Sequence, residues 1–292
     1  NKIESVSTEL LVEFENIFMA IGTFFVLFYS KTLEKLTAIW ASKSQWTYRN
    51  LAAFFGLSFF ASSVARIDLS KRYHCLKLYR EVAQRLQASP DLWDSPAPQW
   101  GSVDEDLALW KDQIMANVPV PARQCSDVDI TDIIVTDASE WGYGAVHVGS
   151  GAVRYFSEPW TNFTFTTSSP AEAEALYRVA CKALPVATRR SVLFLTDNTP
   201  SKFAMERGYS SSFAMNSAVA RLAATFPLHN FRYEHIPGAT NTLIADPGSR
   251  GRDHAAEAAV TQLRQHVGER LAAVFDDAND EATSVGLSGK RI

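Results

Sequence analysis

The sequence predicts an α/β fold: a mixed sheet with the element order βββαβαβα, preceded by a mainly helical region. Three observations predict it. Up to about residue 124, apolar residues recur at helical spacing. After residue 128, short apolar runs alternate with tight glycine turns and helical segments. Two of those apolar runs end on the same dipeptide, Thr-Asp, as neighbouring parallel strands at one sheet edge would.

Composition sets the broad class of the protein. The 292 residues are enough for two modest domains, and 47% of them are hydrophobic. A formal net charge of −4 indicates no global attraction to nucleic acid. The span 31–85 differs from this average, because it holds ten lysines and arginines but only three acids. This span is the candidate for contact with a phosphate backbone.

The cysteines and the longest apolar run indicate the cellular compartment and whether the chain enters a membrane. Three cysteines lie far apart, so they indicate neither a disulfide framework nor a CxxC metal site, and a reducing intracellular compartment fits best. The run Asn16–Tyr29 is shorter than the ~20 residues that a membrane span needs. We therefore expect a buried strand or helix there and no membrane partner. Which intracellular compartment holds the protein stays open.

The first predicted domain covers residues 1–124 and is mainly helical. One helix is predicted over Thr47–Ala65 and an amphipathic one over 68–87. The apolar stripe of the second helix is Leu69, Tyr73, Leu76, Tyr79, Val82 and Leu86. The basic residues placed away from that stripe are Lys71, Arg72, Lys77 and Arg80. A Pro-rich loop, a helix near 104–118 and a linker at 119–127 complete the region.

The second predicted domain covers residues 125–252 and supplies the mixed sheet. The predicted strands are 132–139, 142–148, 151–160, 191–198 and 231–238, and the predicted helices are 168–184 and 217–226. Ser169 is the expected N-cap of the first helix, with Pro170 at N1 and Glu172 completing a capping box. Residues 253–292 are expected to form a C-terminal helix followed by a polar tail.

Four acidic residues are the candidate catalytic and metal-binding groups. Asp137 and Asp197 each follow an apolar strand, Glu172 starts a helix, and Asp246 lies in "NTLIADPGSRG". Each alone has a structural explanation, as a turn former, a helix cap or the return arm of a capping box. Converging carboxylates repel one another unless cations neutralise them, and hard oxygen ligands favour Mg²⁺ or Mn²⁺. Two such ions suit in-line attack on a phosphodiester.

Helix geometry selects between two glutamates. Glu172 and Glu174 are two residues apart, about 200° around a helix, so they cannot both face one site. Glu172 shares the face of Leu176 and Val179, which should pack on the sheet. We therefore choose Glu172.

Four motifs occur in order: "TDAS-WGYGAV", "SPAEAEAL", "TDN" and "HIPGATNTLIADPGSR". Over residues 129–251 the chain resembles the ribonuclease H domain of retroelement reverse transcriptases. The stretch "QWTYRNLAAFFGLSFFASSVARIDL" resembles, more loosely, the thumb and connection that precede ribonuclease H, and looks closest to elements that use a tyrosine recombinase. The chain carries no polymerase centre, because the paired aspartates of "VFDDAND" lie in a polar tail after these motifs.

The resemblance implies a ribonuclease H-like fold and a metal-dependent endonuclease that cuts the RNA strand of RNA–DNA hybrids. Asp137, Glu172, Asp197 and Asp246 would hold two Mg²⁺ ions, with Mn²⁺ as the other candidate. The expected substrate-side residues are Ser139, Trp141, Asn198, His235, Lys71, Arg72, Lys77 and Arg80. For His235, a structural role as a hydrogen-bonding partner of its own loop is favoured over a role as general base. The chain departs from the family in having three residues rather than two between Asn241 and Ala245.

Two rival functions remain. One is a domesticated, non-catalytic ribonuclease H fold that serves as an RNA-binding or assembly module in a ribonucleoprotein, with structured RNA as its partner. The other is a transposase or integrase, which usually closes its acidic set with a glutamate on a late helix. Four acids in the chain favour activity, and closure by Ala245-Asp246 disfavours the second rival. A polymerase portion of a reverse transcriptase is the expected protein partner.

Overall fold

In a computed structural model, the chain divides into two compact units, residues 1–122 and 123–292. The structure describes residues 29–98, 101–116, 129–149, 152–161, 165, 167–252 and 256–275. Most of the predicted element at Asn16–Tyr29, the predicted linker and the predicted polar tail lie outside these residues. No helix among the described residues is long and apolar enough to cross a bilayer.

The first unit is helical, as predicted. Its helices are α1 (29–41), α2 (Tyr48–Ala65), α3 (Tyr73–Ala88) and α4 (Gly101–Ala116). They enclose an aromatic core around Phe54, Phe55 and Trp110, whose rings meet mostly edge-on or tilted, as aromatic quadrupoles prefer. Thr47 and Asn50 form a capping box at the start of α2.

The predicted helix over 68–87 begins later than expected. Asp68 accepts from the Ser70 N–H and starts a 3₁₀ turn, Leu69–Arg72, before α3 begins. The tighter turn changes which side chains face inward. Arg72 becomes buried, and its Nη2 donates to Gln113 Oε1 at 2.6 Å, whereas Tyr79 is exposed. The prediction that Arg72 lies on the polar face is therefore wrong.

The second unit is the predicted mixed α/β domain. Its strands are β1 (Asp132–Ala138), β2 (Gly142–Gly149), β3 (Ala152–Pro159), β4 (Ser191–Thr196) and β5 (Asn230–His235). Its helices are α5 (Ser168–Ala183), α6 (Thr199–Arg207), α7 (Phe213–Thr225), α8 (Gly238–Asn241), α9 (Asp246–Ser249) and α10 (Ala256–Val267). The sheet order is β3-β2-β1-β4-β5, antiparallel through the first three strands and parallel from β1 to β5. The predicted fold class is confirmed.

Both faces of the central strands are covered, which explains their continuous apolar sequences. On β1, Ile134 belongs to the core shared with α5 and α7, whereas Ile133 and Val135 belong to the core shared with α10. β4 alternates in the same way, with Phe194 on the first side and Leu195 on the second.

Two local predictions for this unit need correction. α5 begins at Ser168 with Thr167 as its N-cap, and no side chain makes the cap bond, so the predicted capping box of Ser169 and Glu172 is wrong. The Glu172 side chain instead accepts from the Ala138 N–H at 3.1 Å. The helix α6 was not predicted, although Asn198 caps it and Pro200 lies in its first turn.

Candidate metal centre

Three acidic side chains meet at the carboxyl edge of the parallel strands. β1 and β4 are adjacent and parallel, so Asp137, near the end of β1, lies beside Asp197, which follows β4. α5 packs over both strands and places Glu172 above them. One oxygen from each carboxylate lies within 4.8 Å of the others, and we call these three residues the acidic cluster.

Asp246 stands at the start of α9, outside the compact set of three. Its Oδ1 accepts from Arg250 Nε at 2.8 Å and pairs with Nη2 at 2.7 Å. It is nevertheless close enough for its charge to raise the pKa of Asp137 and that of Asp197. Of the four predicted carboxylates, the structure therefore brings three together and holds the fourth beside them in an ion pair.

Burial and mutual repulsion disfavour the ionised cluster. Desolvation first, then the charges of Asp197 and Asp246, raise the pKa of Asp137 to about 6. Glu172, still more deeply buried, has its pKa raised well above its ordinary value by desolvation and then by Asp137 and Asp197. The pKa of Asp197 is also raised, mainly by burial. Among the described residues, no cation contacts the three carboxylates to offset these effects.

A second ring of polar groups orients the cluster without neutralising it. Ser249 Oγ donates to Asp137 Oδ2, and Asn241 Nδ2 lies 3.4 Å from Asp137 Oδ1. A hydrogen bond from Asn241 also lowers the pKa of Asp197, against the larger effect of burial. Sequence reasoning missed these supporting roles, although both residues lie in "NTLIADPGSR", where the only signal was proximity to Asp246.

One glycine lets the closing segment reach the cluster. Gly144 of β2 is paired directly with Asp137 in the sheet. A Cβ on Gly144 would lie 2.3 Å from Ala245 O and 2.3 Å from Ser249 N, so the main chain of the α9 region occupies that space. This contact is what puts the Ser249 hydroxyl over Asp137.

The donor set fits a hard divalent cation. Glu172 Oε2 is buried and has no hydrogen-bond partner among the described groups, which is costly for a carboxylate oxygen. It lies in a set of three carboxylates that are packed against like charges. Oxygen ligands of this kind are those that Mg²⁺ and Mn²⁺ prefer. The arrangement is that of a candidate metal centre.

Glu174 lies on the other side of α5, as the helix geometry requires. Its carboxylate accepts from Arg178 Nε at 2.9 Å and from Arg221 Nη2. Glu174 is as buried as Glu172, but it is compensated by two guanidinium groups. The structure thus places Glu172 in the acidic cluster and Glu174 in an ion-pair network.

The predicted substrate-side residues of this unit have different surroundings. Ser139 Oγ donates to Ser249 O at 2.5 Å, so it fastens the turn after β1 to α9. Trp141 is exposed, and Asn198 caps α6 by accepting from the Ser201 N–H at 2.9 Å. His235, at the end of β5, is exposed, and its charge lowers the pKa of Asp197 in part.

The predicted basic residues of the helical unit are less uniform than expected. Lys71 and Lys77 are exposed and Arg80 is half-buried, so these three can meet a ligand. Arg72 cannot, because it is buried against Gln113.

The sequence matches no protein-family model and no curated protein. Among solved structures, the chain is similar to the N-terminal RNase H domain of a Mycobacterium tuberculosis protein, with 20% identity, 42% of this chain and 98% of that chain covered, and a TM-score of 0.33. It is similar to RNase H1 of the archaeon Halobacterium salinarum, with 14% identity, coverage of 41% and 98%, and a TM-score of 0.32. It is also similar to the foamy viral protease-reverse transcriptase in complex with RNA/DNA hybrid, with 13% identity, coverage of 64% and 33%, and a TM-score of 0.29. Scores this low carry no argument about function, which rests on the geometry of the acidic cluster.

Proposed function

We propose that the chain is a metal-dependent endonuclease that hydrolyses the RNA strand of RNA–DNA hybrids, as the ribonuclease H part of a retroelement reverse transcriptase. The observation that carries the proposal is the acidic cluster, whose three carboxylates converge at one sheet edge with a buried oxygen of Glu172 unpaired. The four sequence motifs support the choice of the hybrid as substrate.

Asp137, Glu172 and Asp197 would hold the metal, and Asp246 would complete the set for a second ion. Bound Mg²⁺ or Mn²⁺ supplies an activated water and stabilises the leaving oxygen of the phosphodiester. Release of Asp246 from Arg250 would free its carboxylate for this role.

The protein groups around the cluster prepare it for that work. The Ala138 N–H fixes Oε1 of Glu172 and leaves Oε2 buried and without a hydrogen-bond partner among the described groups. Ser249 and Asn241 hold Asp137 from both sides. Because the pKa values of Asp137, Glu172 and Asp197 are raised, protons leave the cluster when a cation binds.

We further propose that the helical region 1–124 is connection-like and that Lys71, Lys77 and Arg80 track the phosphate backbone of the duplex. Lys71 and Lys77 are exposed and Arg80 is half-buried, and lysines and arginines that reach solvent neutralise phosphates irrespective of sequence, which is the requirement for such tracking.

The test is a cleavage assay on the purified chain. A hybrid with a labelled RNA strand is incubated with and without Mg²⁺, beside an Asp197→Asn variant and an Asp91→Asn control in an exposed turn of the other unit. We expect Mg²⁺-dependent cutting of the RNA strand by the wild type and the control, and none by Asp197→Asn. Cutting that is unaffected by Asp197→Asn would contradict the assignment of the site.

The second candidate function is a non-catalytic RNA-binding module. The Arg250–Asp246 ion pair favours it, because the fourth carboxylate is engaged elsewhere. Tight binding of hybrid or structured RNA with no cleavage in Mg²⁺ or Mn²⁺ would select this function and reject the nuclease.

A further inference from the structure

A cavity of about 650 Å³ opens beside the acidic cluster. Its principal wall residues are Ser139, Trp141, Phe165, Thr167, Arg250 and Arg252, and we call it the Trp141 pocket. Ala138, which follows Asp137, and Ala171, which precedes Glu172, also line it. The pocket therefore begins one residue away from two of the three clustered carboxylates.

The Trp141 wall is held in place by the protein itself. The indole lies against the main chain of Gly251, where an added Cβ would be 2.8 Å from two ring carbons. Gly251 has φ +67°, so this position suits glycine for a second reason. The Trp141 N–H donates to Ser139 Oγ at 3.1 Å, and the Trp141 carbonyl accepts from the Trp160 N–H at 3.0 Å. Trp141 is nevertheless 43% exposed, so the ring is held in position and a ligand can still reach it.

Two arginines beside the indole make the pocket cationic. Arg250 and Arg252 flank the residue on which the indole rests, and both are exposed. Arg250 pairs with Asp246, whereas Arg252 adds to the pocket a guanidinium that has no carboxylate partner among the residues that the structure describes. Glu140 is the one acid among the described residues that line the pocket. A flat aromatic face beside two guanidinium groups matches a nucleotide, which offers a sugar ring to pack on the indole and a phosphate to bind.

We propose that the Trp141 pocket binds the nucleotide next to the scissile phosphate on the strand that is cut. Arg252, with Arg250, binds the phosphate of that nucleotide, and Trp141 packs against its sugar, because the base is paired within the hybrid. The inference rests on the proposed function, because the acidic cluster defines which phosphate is scissile. The volume lies within the range of small-ligand sites.

The test measures binding separately from cleavage. The full chain carrying Asp197→Asn serves as the parent, and its affinity for a fluorescein-labelled RNA–DNA hybrid is measured by anisotropy in Mg²⁺. Adding Trp141→Ala should weaken binding about tenfold, because the aromatic contact area is lost, and Trp141→Phe should restore most of it. Arg252→Ala should weaken binding and reduce the slope of log Kd against log salt by about one. Arg189→Ala, an exposed arginine before β4 at the opposite sheet edge, is the matched control and should change neither quantity.

Two further measurements keep the outcomes distinct. Thermal unfolding of each variant shows whether it folds. Gly251→Ala should displace the indole without removing it and should therefore also lower the affinity for the hybrid. If wild type cuts hybrid but Trp141→Ala and Arg252→Ala bind as the parent does, the inference is overturned and the proposed function stands. If wild type does not cut, yet both variants lose affinity as expected, the proposed function fails and the nucleotide site stands. A parent that binds no nucleic acid overturns the inference.

Discussion

The strand β1 carries a buried aspartate near each end, and the surroundings shift the pKa values of the two side chains in opposite directions. At the amino end, His147 Nε2 donates to Asp132 Oδ1 at 2.8 Å, and Thr131 Oγ donates to Oδ2 at 2.7 Å. Arg190 lies 3.9 Å from the same carboxylate. Burial raises the pKa of Asp132, but these partners outweigh it, so the net pKa is lowered. At the other end, Asp137 faces like charges, and its pKa is raised to about 6.

The difference separates a carboxylate that the protein compensates from one that it leaves uncompensated. Both side chains are almost fully buried, so burial alone does not distinguish them. What differs is compensation, because the partners of Asp132 outweigh its burial, whereas Ser249, a long contact with Asn241 and the more distant charge of Arg250 do not outweigh burial and the neighbouring carboxylates at Asp137. A cluster that lacks compensation from the protein is one that an external cation can stabilise.

The largest expected effect comes from comparing an uncompensated and a compensated glutamate on α5, with cleavage of hybrid as the measurement. Glu172→Gln removes a ligand candidate from the acidic cluster, and we expect cleavage of hybrid to fall at least about a thousandfold, since the loss of metal-derived stabilisation is several kcal/mol. Glu174→Gln, two residues away and equally buried, is the matched control. It should retain activity within about threefold while losing stability through Arg178 and Arg221. Equal loss of turnover in both variants would show that the cluster is not the catalytic centre.

The next effect concerns the compensated end of β1. Asp132→Asn should destabilise the fold by about 3 kcal/mol, because it removes one charge from a buried, hydrogen-bonded pair. Since the pKa of Asp132 is lowered in the folded state, its contribution is present above its ordinary pKa and is lost as pH falls through the folded value. Urea unfolding at pH 7 and at pH 3 measures this, with Asp91→Asn as the surface control. A stability equal to wild type at pH 7 would mean that the pair contributes nothing.

Replacing the aspartate at the uncompensated end of β1 should change the free energy of unfolding in the opposite direction. Without metal, Asp137→Asn should stabilise the protein by about 2 kcal/mol at pH 7, because a shift of roughly two pKa units costs about 3 kcal/mol and the amide binds Ser249 less well. The folded-state pKa is raised, so wild-type stability should decline as pH rises from about 4 to about 6, and this decline should be smaller in the variant. Chemical denaturation in EDTA across this range gives both values. A variant less stable than wild type would contradict the repulsion described for the cluster.

The smallest effect is the stabilisation by metal. At ten times its Kd, Mg²⁺ should stabilise the wild type by about 1.4 kcal/mol, visible as a rise in Tm. Asp132→Asn should keep this rise, because its site is at the other sheet edge, whereas Asp197→Asn should lose it. If Asp197→Asn shows the same rise as wild type, the ion binds elsewhere.

The sequence predicted the sheet and the positions of its acids because both depend on local patterns. Apolar runs ending on Asp137 and Asp197 predict parallel strand ends, and helix periodicity separates Glu172 from Glu174. The failures involve tertiary partners. The capping box at Ser169 is absent because Glu172 bonds the Ala138 N–H, 34 residues away in the chain. The bond of Ser249 to Asp137 spans 112 residues, and no local pattern encodes such a pairing.

The bare backbone at Gly144 also bears on how this site can change during evolution. The α9 region is located by its contact with that glycine, and Asn241 is tied to the Thr136 carbonyl at 3.3 Å. Between these two anchors the chain forms a turn over 242–245, in which Thr242 and Leu243 are exposed. Because these anchors locate the segment, we expect an insertion or deletion at the exposed Thr242 and Leu243 to change the size of the surface turn and to leave Asp246 in place. The length of this turn can therefore vary, whereas any side chain at Gly144 would displace the main chain that carries Ser249 and Asp246.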